Sequence, residues 1–343
     1  MTKATTAVPG PVMRLRELAH SAACAASVRA AALLGLADAL GEEAATAADL
    51  ATAVGADEEA LIRLLRSLTT YGVFAEDADG AYVHTSESRL LREDAENSIK
   101  YNVLWATEPW TWELWQHLDE AVRTGKGVFP SLHGEEFFSY LHSSAPRSAE
   151  VFDRAMTQSS QLSARAIAEQ LDLTGVGSVA DIAGGQGLVL ATLLERNPQL
   201  HGTLLDLPDV VARPDARLAE GGALAARTRL LPGDCLKEIP VQADVYLFKN
   251  ILEWDDRSTV TALRNAVAAA RPGARVLVIE NLVDGSPELK FTTAMDLLLL
   301  LNVGGKKHTR AGLAALMEEA GLRVDGIRPV NSYLHLFDAT VPA

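Results

Sequence analysis

Val179-Ala180-Asp181-Ile182-Ala183-Gly184-Gly185-Gln186-Gly187 decides the fold of this chain. An apolar, β-branched run enters closely spaced glycines, and Leu188–Arg196 follows with helical spacing of its apolar residues. Glycine lets a backbone approach a ligand closely, and a helix N-terminus offers N–H groups without partners. A tight strand-to-helix turn also needs glycine for packing alone, so the loop acquires meaning only from its surroundings. It lacks Gly-x-Gly-x-x-Gly spacing and a Gly-Lys-Ser/Thr ending, which disfavours dinucleotide and P-loop readings.

Working outward, the next strand reads Gly202–Leu205 and closes on Asp206, where an acid is placed to accept two ribose hydroxyls. A further strand ends near Gly233-Asp234-Cys235, where a carboxylate can reach an adenine amino group, and Asp244–Phe248 ends at Lys249-Asn250. Polar groups at three successive strand ends, beside a glycine loop, describe a nucleoside site at the carboxyl edge of a sheet. Further apolar runs at Arg275–Ile279, Leu322–Val330 and Tyr333–Phe337 alternate with helical patterns at Ser258–Ala270, Phe291–Leu301 and Arg310–Ala320. Strands alternating with helices predict parallel crossovers and a doubly wound, Rossmann-like α/β sheet over residues 173–343. The last two strands are expected as a terminal hairpin on the sheet edge.

Upstream the pattern is mainly helical. Residues 13–40 carry small and apolar residues at helical spacing up to Gly41. Helices are expected at Ala48–Val54 and Glu58–Tyr71, the second capped by Asp57, and then a hairpin at 73–84. This is the element order of a winged helix, but only Arg63 and Arg66 offer charge to phosphates, beside Glu58 and Glu59. Leu61, Leu64, Leu65 and Leu68 suit a packing face. Trp105, Trp110, Trp112 and Trp115 crowd residues 97–142, where aromatics fill a core or line a pocket for a flat ligand. A long helix, Ser148–Leu171, is expected to join the two halves. The predicted organisation is a helical, winged-helix-like region over 1–100, a helical linker lining a pocket over 101–172, and the α/β domain over 173–343.

Composition bounds the rest. The 343 residues include 45 acidic and 31 basic side chains, a formal charge of −14. That balance argues against nucleic acid or an anionic membrane as partner, since either needs a basic face. Two cysteines, Cys24 and Cys235, and eight scattered histidines make neither a disulfide framework nor a metal site. The apolar run Leu297–Leu301 is too short to span a bilayer, and residues 1–12 lack the apolar stretch of a signal peptide. The expectation is a cytoplasmic protein acting on a small molecule.

In order and spacing, DIAGGQG, LLDLP, GDC, LFKNILEWDD and GGKKHT resemble the metal-independent small-molecule O-methyltransferases that use S-adenosylmethionine. That family includes plant caffeate-type enzymes and bacterial enzymes of aromatic antibiotic biosynthesis. The resemblance covers nearly the whole chain and implies an N-terminal dimerisation domain, a homodimer and a small aromatic acceptor. It implies that Gly184, Gly185 and Gly187 cradle the methionine part of the cofactor and that Asp206 holds the ribose. Leu207 would pack on adenine, Gly233, Asp234 and Cys235 would bracket it, and Lys249 with Asn250 would sit beside the ligand. It implies that Met156 lines cofactor and acceptor; Met295, Asn302 and Trp105 are the further candidates to line the acceptor, with Arg14 and Arg16 candidates to reach an acceptor carboxylate across a dimer.

The family pattern breaks at the chemistry. The histidine base expected four residues after the lysine is Glu253, and Trp254 follows one residue early. Where the family commonly reads GGKERT, Lys307 stands for the glutamate and His308 for the arginine. Glu280 matches a carboxylate that supports the base, and Ala183 replaces a third glycine. The catalytic candidates are therefore Glu253, His308 and Glu280. An ordinary carboxylate at ~4.3 is a poor base for a phenol at ~10, though burial raises such groups. Positioning and desolvation without a strong base is the other route, and a relative that binds the sulfonium for hydroxylation, decarboxylation or cyclisation is the alternative activity.

Overall fold

The structure is a computed structural model that describes residues 10–343. Residues 1–9, on which part of the signal-peptide expectation rests, lie outside the described residues. The chain forms two compact units, Met1–Glu108 and Pro109–Ala343.

In the first unit, the helical pattern over 13–40 is three helices, Pro11–Ala19, Ala22–Leu34 and Leu36–Leu40. Gly35 ends the second with a left-handed φ of 66°, so the chain turns where continuous apolar spacing hides a break. Helices Ala47–Val54 and Glu58–Thr70 follow, and then strands β1 (Phe74–Glu76) and β2 (Tyr82–His84) pair antiparallel. The Asp57 side chain accepts from the Ala60 N–H at 2.9 Å, the N-cap expected from sequence. Leu61, Leu65 and Leu68 are buried against Leu36, Leu40, Leu50 and Phe74. Each buried leucine contributes about 1.5–3 kcal/mol to this small core. The helix–turn–helix–hairpin order thus builds a packing unit, with Arg63 and Arg66 on its exposed side.

The second unit carries a seven-stranded sheet of β3 (Ser178–Ile182), β4 (His201–Asp206), β5 (Thr228–Pro232), β6 (Val245–Lys249), β7 (Arg275–Asn281), β8 (Arg323–Pro329) and β9 (Leu334–Thr340). Their order is β5-β4-β3-β6-β7-β9-β8, parallel from β5 through β7. β9 inserts antiparallel between β7 and β8, so the expected terminal hairpin lies within the sheet's end, with only β8 at the rim. Strand order reverses between β3 and β6, and ligands of open α/β sheets sit in the crevice at that switch point.

Helices Pro146–Gln170 and Leu188–Arg196 cover one face, burying Ile167, Ala168, Leu190 and Leu194. Asp256–Ala269 and Arg310–Glu319 cover the other through Val260, Leu263, Leu313 and Met317. Residues 101–172, expected as one linker, fall on both sides of the boundary at Glu108. Helix Lys100–Ala106 belongs to the first unit, whereas Pro109–Trp115 opens the second. There Trp110, Phe129 and Phe137 form an aromatic core with ring centroids 5.2–6.0 Å apart, so core filling claims Trp110 and Phe129.

Candidate active site

The glycine loop is shaped by the strands on either side of it. Ala183 adopts a φ of 51° and donates its N–H to the Leu205 carbonyl at 2.7 Å. That left-handed conformation costs a residue with a Cβ on the order of 1 kcal/mol, which is why glycine suits the position. At Gly184 there is no room for a side chain. A Cβ would stand 2.5 Å from the Asp181 carboxylate and 2.8 Å from Leu204 Cδ1. Gly185 faces open space, and its N–H donates to Asp206 Oδ2 at 2.7 Å. The Leu207 N–H donates to Asp206 Oδ1 at 2.7 Å, and the Gly233 N–H donates to the Asp206 carbonyl at 2.9 Å. Asp206 therefore latches the glycine loop, its own following turn and the end of β5 together.

The electrostatics of this corner are unbalanced. Burial pushes the Asp206 carboxyl up to about 6, against two N–H donors that hold it down. Asp181 is pushed up to about 7, first by burial and then by the neighbouring Asp206 charge. Its Oδ2 is buried without a hydrogen-bond partner. Buried carboxylates in this state fit a cation, and unused polar capacity beside an open glycine backbone fits a nucleoside carrying one.

At the adenine end, the Asp234 side chain accepts from the Leu236 N–H at 3.0 Å. The Cys235 thiol is pushed up to about 12 by burial and stays neutral, a packing surface rather than a nucleophile. Asn265 Nδ2 donates to the Cys235 carbonyl at 2.8 Å and ties this loop to helix Asp256–Ala269.

Helix Pro146–Gln170 closes one side of the edge with polar residues at i, i+4 and i+7, one helical face. Asp153 pairs with Arg213 at 2.9 Å, Thr157 Oγ1 donates to Gln186 Oε1 at 2.8 Å, and Lys249 Nζ donates to Ser160 Oγ at 3.2 Å. Met156, half-buried, lies on the same stretch. Sequence reading singled out Met156 alone. The signal it missed was this polar stripe.

Beyond β6, charges collect. Burial draws the Lys249 ammonium down to about 8, while Glu280, Glu253 and Asp181 work against that fall. Asn250 takes a φ of 52°, and its Oδ1 is buried without a partner. Glu280 Oε1 accepts the Ile251 and Leu252 N–H groups at 3.0 Å each. Burial, and next to it the Glu253 charge, push Glu280 up to about 8. Glu253 forms an ion pair with Lys307, whose role sequence reading left unassigned. His308 Nε2 lies 2.6 Å from the Leu252 carbonyl, so that nitrogen is a donor already in use. Burial lowers the His308 pKa and keeps the ring neutral. Proton acceptance by His308, one of the expected options, would therefore fall to Nδ1 in this arrangement.

The remaining acceptor candidates divide. Met295 and Asn302 lie on helix Leu289–Val303, which packs against Pro109–Trp115, and Asn302 Oδ1 is buried without a partner. Arg14, exposed on helix Pro11–Ala19, and the buried Trp105 belong to the first unit.

Residues 115–323 match the O-methyltransferase domain and residues 16–94 the O-methyltransferase dimerisation domain. The chain belongs to the O-methyltransferase family. The mitomycin biosynthesis 6-O-methyltransferase of Streptomyces lavendulae is 39% identical over 90% of this chain and 88% of its own. An O-methyltransferase from neocarzinostatin biosynthesis, NcsB1, solved with S-adenosylmethionine and 2-hydroxy-5-methyl naphthoic acid, matches 98% of this chain and 100% of its own with a TM-score of 0.81 and 32% identity. The aclacinomycin 10-hydroxylase RdmB of Streptomyces purpurascens is 33% identical over 92% of this chain and 85% of its own. The protein is an O-methyltransferase that uses S-adenosylmethionine. Among the described residues, no helix is long and apolar enough to cross a membrane.

Proposed function

We propose that this enzyme methylates a hydroxyl of an aromatic small molecule, an aryl acid or polyketide-derived phenol of secondary metabolism, and works as a homodimer. The observation that carries the reading is the Asp206 latch on Gly185, with the Asp181 carboxylate, one oxygen of it unpaired, behind it at the switch point of the sheet. S-adenosylmethionine, when bound, supplies an electrophilic methyl group on a sulfonium. In this reading Gly184, Gly185 and Gly187 cradle its methionine part, and Asp206 takes the ribose. Leu207, Gly233, Asp234 and Cys235 surround the adenine, with Lys249 and Asn250 alongside. Met156, Met295 and Asn302 meet the acceptor.

Glu253 is the group proposed to receive the hydroxyl proton, with Glu280 holding the loop that carries it. Glu280 supports this by fixing two consecutive N–H groups, those of Ile251 and Leu252, just before Glu253. His308, through the Leu252 carbonyl, braces the same loop.

Incubation with methyl-labelled S-adenosylmethionine and a panel of hydroxy-aryl acids and hydroxyquinones tests the reading. A product heavier by one methylene, carrying the label, is the expected result. A product that gains oxygen instead would favour hydroxylation, the chemistry named for the aclacinomycin relative, and one that loses carbon dioxide would favour the decarboxylation alternative.

A further inference from the structure

Glu253 and Lys307 are brought together by backbone contacts as much as by charge. There is no room for a Cβ on Gly305 against the Glu253 carbonyl oxygen, so the two segments lie directly against each other. The Lys306 N–H donates to that carbonyl at 3.1 Å, and the Lys307 N–H donates to Asp296 Oδ1 at 2.6 Å. The paired side chains are only 16% and 6% exposed. Four ionisable groups face Glu253 here: Lys307 from the 305–309 segment, Glu280 from β7, Lys249 from β6, and His308, whose ring is neutral. A buried ion pair costs desolvation and is weak evidence of a stability role. Its position beside Glu280 asks for another explanation.

We propose that Lys307 is a positioning residue for methyl transfer, holding the Glu253 carboxylate beside Glu280 and aimed for the proton of the acceptor hydroxyl. The proposal rests on Glu253 as the proton acceptor and deepens that reading by naming the acceptor class. As the acceptor oxygen forms its bond to the methyl carbon, the C–S bond breaks with its electron pair left on sulfur, and the hydroxyl proton passes to Glu253 Oε2. A carboxylate stabilised by an ammonium is a weak base. The acceptor hydroxyl is therefore an acidic one, conjugated with a carbonyl or quinone, rather than a simple phenol.

Lys307→Met and Lys307→Gln test this, the glutamine keeping a hydrogen-bonding group without the charge. The acid limb of the kcat profile moves to higher pH by about one unit or more in both, roughly a tenfold loss of kcat near the acid end, with KM little changed. Independently of turnover, each variant shows, beyond the protonated-carboxyl infrared absorption of the wild type, an additional such band at mildly acidic pH that a further Glu253→Gln removes. An unmoved acid limb with no such band, and only a lowered melting temperature, overturns the proposal. Failure of the wild type to methylate any acceptor would instead overturn the underlying reading, while the infrared result still reports on Lys307.

Discussion

At residue scale, a single methyl group at position 183 tests the glycine-loop geometry. Ala183→Gly relieves a left-handed backbone, and the expected gain is about 1 kcal/mol, or 2–4 °C in a unit of this size. Thermal unfolding with and without cofactor checks it. A loss of stability would contradict the assignment. The loop acids carry a second prediction. Unliganded Asp206 and Asp181 sit at about 6 and about 7, so both bind protons below those values. A cationic ligand favours their ionised forms, so binding releases protons. Affinity then rises as pH climbs from about 5.5 to 7.5, by up to about tenfold per unit for each proton released, and levels above. Calorimetry in buffers of different ionisation enthalpy reads the proton count. S-adenosylhomocysteine, whose sulfur is neutral, is expected to show the shallower slope, and a flat profile for S-adenosylmethionine would contradict the account.

The same scale shows what the chain spelled out and what it hid. Gly184, Asp206 and Asp234 were legible because strand-end chemistry is local: a short apolar run, a glycine or an acid, and a turn. Asp181 was in plain view yet carried no role, since its unpaired oxygen depends on burial that no spacing reports. Lys307 was legible only as a departure from GGKERT. Its pairing with Glu253 joins segments 54 positions apart, and nothing local announces that contact.

Among elements, the helix Leu188–Arg196 carries the loop at its N-terminus, and its far end is fixed by one side chain. Arg227 donates to the carbonyls of Leu194, Asn197 and Leu200 at 2.8–3.1 Å. The first of these lies in the last turn of the helix, where carbonyls lack intrahelical partners, and the other two lie in the loop that follows it. Arg227→Ala is expected to cost about 2 kcal/mol and to weaken cofactor binding by loosening the helix. Denaturant unfolding beside a binding isotherm checks both, and an unchanged midpoint would refute the role. The helix itself matches its sequence-read span, because its apolar spacing and the preceding glycine agree. Elements whose limits depend on tertiary contact fared less well. The break at Gly35 sits inside an unbroken alanine-rich pattern, and the insertion of β9 between β7 and β8 is a pairing choice that alternation cannot encode.

For the molecule as a whole, two units of different construction share one chain. The first carries the dimerisation-domain match and leaves Val12, Leu15 and Leu18 between 61% and 71% exposed on helix Pro11–Ala19, which buries no residue of its own. Solitary exposed leucines are ordinary, but a helix apolar on an uncovered side is not. Leu15→Asp with Leu18→Asp is expected to turn a dimer into a monomer by light scattering, with the second unit still able to bind cofactor. A double variant that remains dimeric would place the interface elsewhere. The excess of acidic charge in the composition has narrowed to a few groups that matter, Asp181, Asp206, Glu253 and Glu280, around two lysines.

Methyl transfer to an acidic aromatic hydroxyl, with Glu253 taking the proton, can be followed in a single turnover. Wild type and Glu253→Gln are each mixed with methyl-labelled S-adenosylmethionine and a hydroxyquinone or hydroxy-aryl acid that the wild type accepts. The expected wild-type result is one labelled methyl ether for each S-adenosylhomocysteine formed. In Glu253→Gln the rate falls by about 10²-fold or more, with cofactor affinity within a few-fold of wild type. Equal rates in the two proteins, or S-adenosylhomocysteine without a methyl ether, would contradict it.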